Sequence, residues 1–353
     1  MITDIATYLP ERLVTNEALS AIFTEWTPDA IYQKTGIRQR HAVEPNECAS
    51  DLAVKAAEKL LAGRDRNSLD FVLFCTQTPD FPLPTTACLL QQRLGLPQRC
   101  GALDFNLGCS GYIYGLALGK SLLEARLAEN LLLLNADTYT RLLDPQDRST
   151  RPIFGDAGAA TLLSRASNHR LHSFVFGTDG SGAEQLIVRA GGLRLRATAP
   201  CGPGSADGAR TALSASTPEP AAPTDAGKAA RAPLRPECLF MNGPEIFNFT
   251  LKVVPQLIKD ILARAQLQPE QIDLFVFHQA NAYMLEHLRR KLKIPKERFE
   301  LCLEDCGNTV SVTIPLALER ALKAGRIRPG MKILLAGFGV GLSWAGCILE
   351  WSA

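Results

Sequence analysis

Charge of one sign is the first thing this 353-residue sequence lacks. Its 38 lysines and arginines stand against 36 aspartates and glutamates, a formal net charge of +2. A balance so even gives no global attraction for nucleic acid or for an anionic membrane surface. Long apolar runs are missing too: no stretch approaches the roughly 18 uninterrupted apolar residues of a spanning helix. The opening MITDIATYLPERLVTN has neither a basic n-region nor an apolar h-region, so no signal peptide is expected. Ten cysteines are too sparse for a disulfide scaffold in a chain this long. Most sit in apolar runs, such as Cys75 in FVLFCT and Cys347 in AGCILEW, and are expected to be reduced and buried, as in a cytoplasmic protein. Metal-ligand spacing is absent: there is no HExxH, and Cys302 and Cys306 have no partner Cys/His pair. A GxSxG elbow and a Walker loop are absent as well. The run AGFGVGLSWAG (336–346) lacks the G-x-G-x-x-G spacing of a dinucleotide loop.

What is present is a globular balance, 46% hydrophobic and 21% charged, in a chain longer than one core usually needs. Two lobes or one large α/β assembly is the expectation. Short apolar runs alternate with segments of helical period. Strands are expected at LDFVLFC (69–75), CGALDFN (100–106), ENLLLLNAD (129–137), AATLLS (159–164), IDLFVFH (272–278), FELCLED (299–305) and KILLAGF (332–338). Helices are expected over 50–63, capped by Ser50 and Asp51, and over 310–325, ending in the Lys-x-Gly of a helix C-terminus. From Gly191 to about Pro236 the chain has no apolar period and carries seven prolines between Pro200 and Pro236. That segment reads as an irregular surface insertion.

The halves echo each other. SLDFVLFCTQTPD (68–80) resembles QIDLFVFHQANAY (271–283), the segment around Cys109 matches in shape the one around Asn308, and ENLLLLNADTYT matches MKILLAGFGVGLS. Three segments in one order, each displaced by roughly 200 residues, indicate duplication of one α/β unit. The boundaries read as an N-terminal half over 1–168 and a C-terminal half over 169–353.

Duplication would bring equivalent strand ends together, and those ends hold Cys109, His278 and Asn308. Cys109, in NLGCSGYIYGL, follows an apolar strand and precedes a helix, where the backbone dipole favours a thiolate. Gly108 and Gly111 would permit a tight, strained turn there. A buried structural thiol accounts for the same residue equally well. His278 ends the strand FVFHQAN and can act as base or N–H donor, although a lone histidine is more often structural, as expected of His41, His169, His172 and His287. Asn308, in CGNTVSV, fits a helix cap; as a functional group its amide is a neutral donor suited to a negative oxygen.

The stretches YLPERLVTNEAL, KTGIRQRH, FNLGCSGYIYGL, DPQDRSTRPIFGDAGAATLL, NGPEIFNF, FHQAN, GNTVSVTIPLAL, GRIRPG and FGVGLSWAG run in one order along nearly the whole chain. In them the sequence resembles the β-ketoacyl-(acyl-carrier-protein) synthase III family of the thiolase superfamily. The resemblance implies a five-layered αβαβα fold of two related halves, a homodimer, and acyl carrier protein as partner, with no cofactor or metal in the chemistry. It implies Cys109 as the acyl-accepting nucleophile, the N–H groups of Cys109 and Val340 as an oxyanion hole, and His278 and Asn308 as the pair that stabilises a decarboxylating malonyl group. The implied reaction is decarboxylative Claisen condensation with malonyl-acyl carrier protein, in fatty acid or secondary-metabolite biosynthesis. An acyltransferase passing the acyl group to oxygen or nitrogen is the alternative, and relatives of that kind often carry an acidic residue where this chain has Asn308.

Departures from the family pattern carry expectations of their own. Ala30 stands where a tryptophan stacks on coenzyme A, opposite a retained Arg148, which favours a carrier-borne donor. Leu83 stands where a phenylalanine gates the partner subunit's acyl pocket. Tyr283 replaces a docking arginine, leaving Arg289, Arg290 and Lys291 as the basic face for a carrier.

Overall fold

The computed structural model describes residues 1–197, 201 and 235–352. Its frame is two mixed sheets. In the first, the order is Ile2–Tyr8, Ala157–Ser164, Asn130–Asp137, Phe71–Cys75, Gly101–Phe105. The last three are parallel and the first two antiparallel additions. In the second, Leu274–Phe277 pairs in parallel with Met331–Gly339, followed antiparallel by Ser343–Trp351 and Arg170–Thr178. The second order repeats the first, reading each sheet from the strand that precedes HQAN or TQTP. Duplication is therefore visible as topology as well as in sequence.

The expected strand 299–305 is the exception. Only Phe299 bridges, in parallel, to Phe275, where the first sheet has the whole strand Gly101–Phe105. A side chain substitutes for the ladder: Gln279 Nε2 donates to Glu300 O (3.3 Å), and the Cys302 N–H donates to Gln279 Oε1 (2.9 Å). Backbone groups so satisfied need no neighbouring strand.

Between the sheets lie the helices Gly111–Glu124 and Thr313–Lys323. Ile113, Leu116, Ile314 and Leu318 share one core with Leu131 and Leu133 of the first sheet and Ile333 and Leu335 of the second. Close approach depends on missing side chains. A Cβ on Gly115 would lie 2.6 Å from Leu133 Cδ1, and one on Gly119 2.5 Å from Leu163 Cδ1. The outer face of the first sheet is covered by Ala49–Leu61 and Thr86–Arg93, that of the second by Gly243–Ala265 and Ala282–Lys291. Helix, sheet, helix, sheet, helix makes five layers.

Local signals mostly hold. The helix Thr313–Lys323 stops at Ala324 before Gly325, whose φ of +67° only glycine adopts freely. In Ala49–Leu61 the cap is Asp51 alone, accepting from the Cys48 N–H at 2.7 Å. Ser50 is drawn elsewhere, donating to Asp80 Oδ2 at 2.6 Å and accepting from Arg93 Nη1 at 2.6 Å. Eight cysteines are free, Cys88 exposed among them. Cys201 and Cys238 depart from the expectation of reduced thiols by forming a disulfide, their Cα atoms 5.4 Å apart, within the ordinary span of the bond. Most of the irregular segment at about 191–236 lies outside the described residues. Among the described residues no helix is long and apolar enough to cross a membrane.

Candidate active site

Cys109 stands in the turn that joins the strand Gly101–Phe105 to the helix Gly111–Glu124, two residues before the helix begins. The second half closes over it. A Cβ on Gly337 would come within 2.6 Å of Cys109 O, and one on Gly339 within 2.7 Å of Cys109 Sγ, so the strand Met331–Gly339 can abut the thiol only as glycine. Gly108 and Gly111 serve the same steric end and no strained dihedral: neither has a positive φ. A Cβ on Gly108 would lie 2.4 Å from Gln77 Oε1, and one on Gly111 2.3 Å from Cys75 Sγ.

The thiol is buried, and burial pushes its pKa up to about 12, with the Asp137 carboxylate adding to the rise. The N–H groups of Val340 and of Cys109 itself pull the other way. Burial thus opposes the dipole effect expected from the helix N-terminus. Both N–H groups face the sulfur.

His278 continues its strand by donating its N–H to Ala336 O at 2.8 Å, then turns its ring inward, 2% exposed. Burial holds its pKa down at about 3, opposed only by the Val310 carbonyl, so the ring is neutral. Nδ1 lies 2.8 Å from Thr313 Oγ1, which also lies 3.0 Å from Val310 O. Asn308 is fixed by the other half of the protein: its N–H donates to Ile153 O at 2.9 Å and its carbonyl accepts from the Gly155 N–H at 3.0 Å. Its side-chain Oδ1 accepts the Val310 N–H at 3.0 Å, so the NH2 end remains for the cavity. Val310 makes these contacts with φ at +54°, a strained value for a β-branched residue, and strain of this kind gathers at functional sites. The helix that Asn308 was expected to cap begins only at Thr313, after a single turn of 3₁₀ helix at Val310–Val312.

Cys109, His278 and Asn308 all line one cavity of about 250 Å³, together with Ser149, Pro244 and Asn281. The ring of Phe338 sits edge-on to His278, 5.8 Å between centroids. Sequence reasoning missed Asp137, although it closes the apolar run ENLLLLNAD. Its carboxylate accepts from the Gln77 N–H (2.8 Å) and from the Ser311 hydroxyl (2.6 Å), tying the halves together behind the thiol, and burial raises its pKa to about 7. Thr313, Gln77 and Tyr139 were missed as well, and no local pattern marks them.

The outlying candidates fall elsewhere. Leu83 is 85% exposed and takes no part in the cavity of its own chain. Arg148 is ion-paired to Glu25 and lies 5.9 Å from the Phe23 ring. Arg289 and Arg290 share Glu286, at 2.7 and 2.8 Å, while Lys291 donates to Leu251 O at 2.7 Å. Tyr283 is exposed and stacks on Phe247, 5.7 Å between centroids. Of the remaining histidines, His169 stacks on Trp351 at 3.8 Å and His287 meets the edge of Phe247, both structural settings. Among the described residues no three His, Cys, Asp or Glu side chains group as a metal site.

Two sheets of one topology, facing each other across shared helices and meeting at a buried thiol, are the architecture of thiolase-fold acyltransferases of the condensing kind. Comparison with known proteins narrows this. The family model described as 3-oxoacyl-[acyl-carrier-protein (ACP)] synthase III matches residues 103–180, and its C-terminal companion matches 262–351. A β-ketoacyl-[acyl-carrier-protein] synthase III of Caldanaerobacter subterraneus subsp. tengcongensis is 33% identical over 348 residues, 98% of this chain and 96% of the relative. One of Rhodopirellula baltica is 35% identical over 371 residues, 99% and 98% of the two chains. A crystal structure of a 3-oxoacyl-(acyl-carrier-protein) synthase III superposes with a TM-score of 0.87 at 47% identity, covering 99% and 98%. That of the Burkholderia xenovorans enzyme gives 0.84 at 38%, covering 99% and 93%. The chain belongs to the β-ketoacyl-[acyl-carrier-protein] synthase III family, and it is a condensing acyltransferase.

Proposed function

We propose that Cys109 accepts an acyl group from a thioester donor and that His278 and Asn308 then direct its condensation with malonyl-acyl carrier protein, giving a 3-oxoacyl-acyl carrier protein. The observation that carries this reading is the single cavity that all three side chains line, with the N–H groups of Val340 and Cys109 at the sulfur. In the first half-reaction the Cys109 sulfur attacks the thioester carbonyl. Its proton passes to the departing thiol, and the tetrahedral oxygen sits between the two N–H groups. In the second, the malonyl thioester loses CO₂. The electron pair of the broken C–C bond forms an enolate whose oxygen takes hydrogen bonds from His278 Nε2–H and Asn308 Nδ2. The enolate carbon attacks the acyl carbonyl, and collapse of that intermediate returns the sulfur.

Neutral donors suit this step, because a strong acid would quench the carbanion. His278, held near a pKa of 3, and an asparagine that cannot ionise meet the requirement. The same asparagine speaks against transfer to oxygen or nitrogen, since it cannot serve as general base for such an acceptor.

Carrier recognition falls to the end of the helix Ala282–Lys291, where three cations outnumber Glu286. In a homodimer, Leu83 is the exposed apolar group offered to the partner's acyl cavity. Ala30 gives no ring for adenine to stack on opposite Arg148, so half of an adenine clamp is missing and a carrier-borne donor is favoured over a coenzyme A-borne one.

Intact-protein mass spectrometry tests the assignment. Cys109→Ala should take no acyl adduct. His278→Ala and Asn308→Ala should acylate but release CO₂ from malonyl thioester slower by about a hundredfold or more. An adduct on Cys109→Ala, or undiminished CO₂ release in the other two, refutes these roles.

A further inference from the structure

Asp137 is a carboxylate that neither half-reaction uses and that stability alone would not select. It is 1% exposed, and each partner it has among the described residues is a neutral donor: the Gln77 N–H at 2.8 Å, the Ser311 hydroxyl at 2.6 Å and the Ser311 N–H at 3.4 Å. The ionisable groups that bear on it are Cys75 on the neighbouring strand, Cys109 in the nucleophile turn, Tyr139 just past the strand end, and Asp156. All four are acids, so none offsets its charge. A buried carboxylate without a cation costs stability, and such groups gather at functional sites.

What Asp137 holds is the turn that carries the decarboxylating pair. Asn308 is pinned to the first half of the protein by its backbone, through Ile153 O at 2.9 Å and the Gly155 N–H at 3.0 Å. Three residues on, Asp137 pins Ser311 to the same half. Between these anchors lies Val310, at a φ of +54°. Its N–H orients the Asn308 carboxamide, and its carbonyl faces the Thr313 hydroxyl, which reaches His278. A strained residue keeps its conformation only where its surroundings fix it. Thr309, inside the same span, is buried with its hydroxyl unpartnered among the described residues and adds no side-chain hold. Ser311 also abuts the nucleophile turn, since a Cβ on Gly111 would lie 3.8 Å from Ser311 Cβ.

We propose that the Asp137–Ser311 hydrogen bond is the strut that sets His278 and Asn308 against the thiol, with both its members acting as positioning residues for the condensation half-reaction. This deepens the roles proposed for Cys109, His278 and Asn308 and rests on them. The strut acts on the thiol with the opposite sign, because its carboxylate disfavours a Cys109 thiolate. Removing that charge therefore quickens the sulfur while it loosens the pair.

The test follows both half-reactions with N-acetylcysteamine thioesters, which need no carrier protein: acetyl for mass gained at Cys109, malonyl for CO₂ release. Ser311→Ala, which removes the donor and keeps the charge, releases CO₂ about tenfold slower and acylates within about twofold of wild type. Asp137→Asn, which keeps the shape but exchanges a charge-assisted bond for a neutral one, loses about threefold in CO₂ release. At pH 8.5 iodoacetamide alkylates Cys109 about threefold faster in Asp137→Asn than in wild type, read by peptide mass spectrometry. At pH 6 the two rates are equal, because a wild-type carboxyl that titrates at about 7 is then largely protonated. The double variant releases CO₂ no more slowly than Ser311→Ala, since both changes break one contact. Ser311→Cys, a weaker donor of nearly the same shape, shows the loss in smaller measure and decides the matter if the alanine variant does not fold. Wild-type CO₂ release in a folded Ser311 variant, equal slowing of both half-reactions, losses that multiply in the double variant, or an alkylation ratio flat in pH overturns the strut. A wild-type protein that acylates but releases no CO₂ overturns the roles of His278 and Asn308 instead, and the strut with them.

Discussion

Thr313→Val isolates the least visible part of the site. A neutral imidazole has one N–H, and the Thr313 hydroxyl decides which nitrogen carries it. Turned to Nδ1, 2.8 Å away, the hydroxyl donates and leaves the ring proton on Nε2, facing the cavity. Turned to Val310 O, 3.0 Å away, it accepts from Nδ1–H and leaves Nε2 without a proton. The proposed role of His278 as donor to the enolate needs the first arrangement. Valine has nearly the same shape but no hydroxyl, so the only polar partner left to Nδ1 is the Val310 carbonyl, and the ring proton moves to Nδ1. The cost is about one buried hydrogen bond, about 1–3 kcal/mol, or a loss of about fivefold to a hundredfold in decarboxylation. Acylation of Cys109 does not use the imidazole proton and should change by less than about twofold. Both rates are measurable on one preparation, by CO₂ release from malonyl thioester and by intact mass, and Thr313→Ser should restore the first. The reasoning fails if Thr313→Val decarboxylates at the wild-type rate, or if both half-reactions slow together.

The nucleophile turn gives a second prediction. Gly111→Ala places a Cβ 2.3 Å from Cys75 Sγ, a fully buried atom anchored on Leu107 O at 3.0 Å, so overpacking should cost about 1–3 kcal/mol in denaturant unfolding. Adding Cys75→Ala should recover most of it; a single variant as stable as wild type shows that the turn yields more readily than supposed. Stability against pH gives a third. Burial holds Asp137 at about 7 and Asp156 at about 6, above the ordinary value of about 4 for an unfolded carboxylate. Their contribution is complete below about pH 4 and is lost as pH rises through 6 and 7. His278 has the opposite sign: with its folded pKa near 3, its contribution is present above about 6.5 and lost below. The carboxylates outweigh the imidazole over this range by about 1 kcal/mol, so the melting temperature should fall by about one degree from pH 6 to 8, and a rising profile by calorimetry contradicts it.

Much of the molecule is legible in its sequence. The α/β class, most strands, and the duplication follow from period and order. Cys109, His278 and Asn308 could be picked out because each ends an apolar strand or precedes a helix, a local signature that needs no knowledge of neighbours. The strand 299–305 misled because its apolar alternation is real, while the Gln279 amide that replaces its partner strand stands 23 residues from Cys302. The thiolate expectation misled because helix position is local and burial is not.

The amino-acid order by itself determined which elements form, in what succession, and which turns carry chemically active groups, since those depend on periodicity, glycine placement and capping within a few residues. Folding alone decided that Asp137 would meet Ser311 across 174 residues, that Thr313 would face His278, and that Tyr139 would be pinned by Gln77 beside the thiol. Protonation, tautomer and pocket depth all follow from which groups lose water together. That is a property of the packed interior, and no stretch of chain contains it.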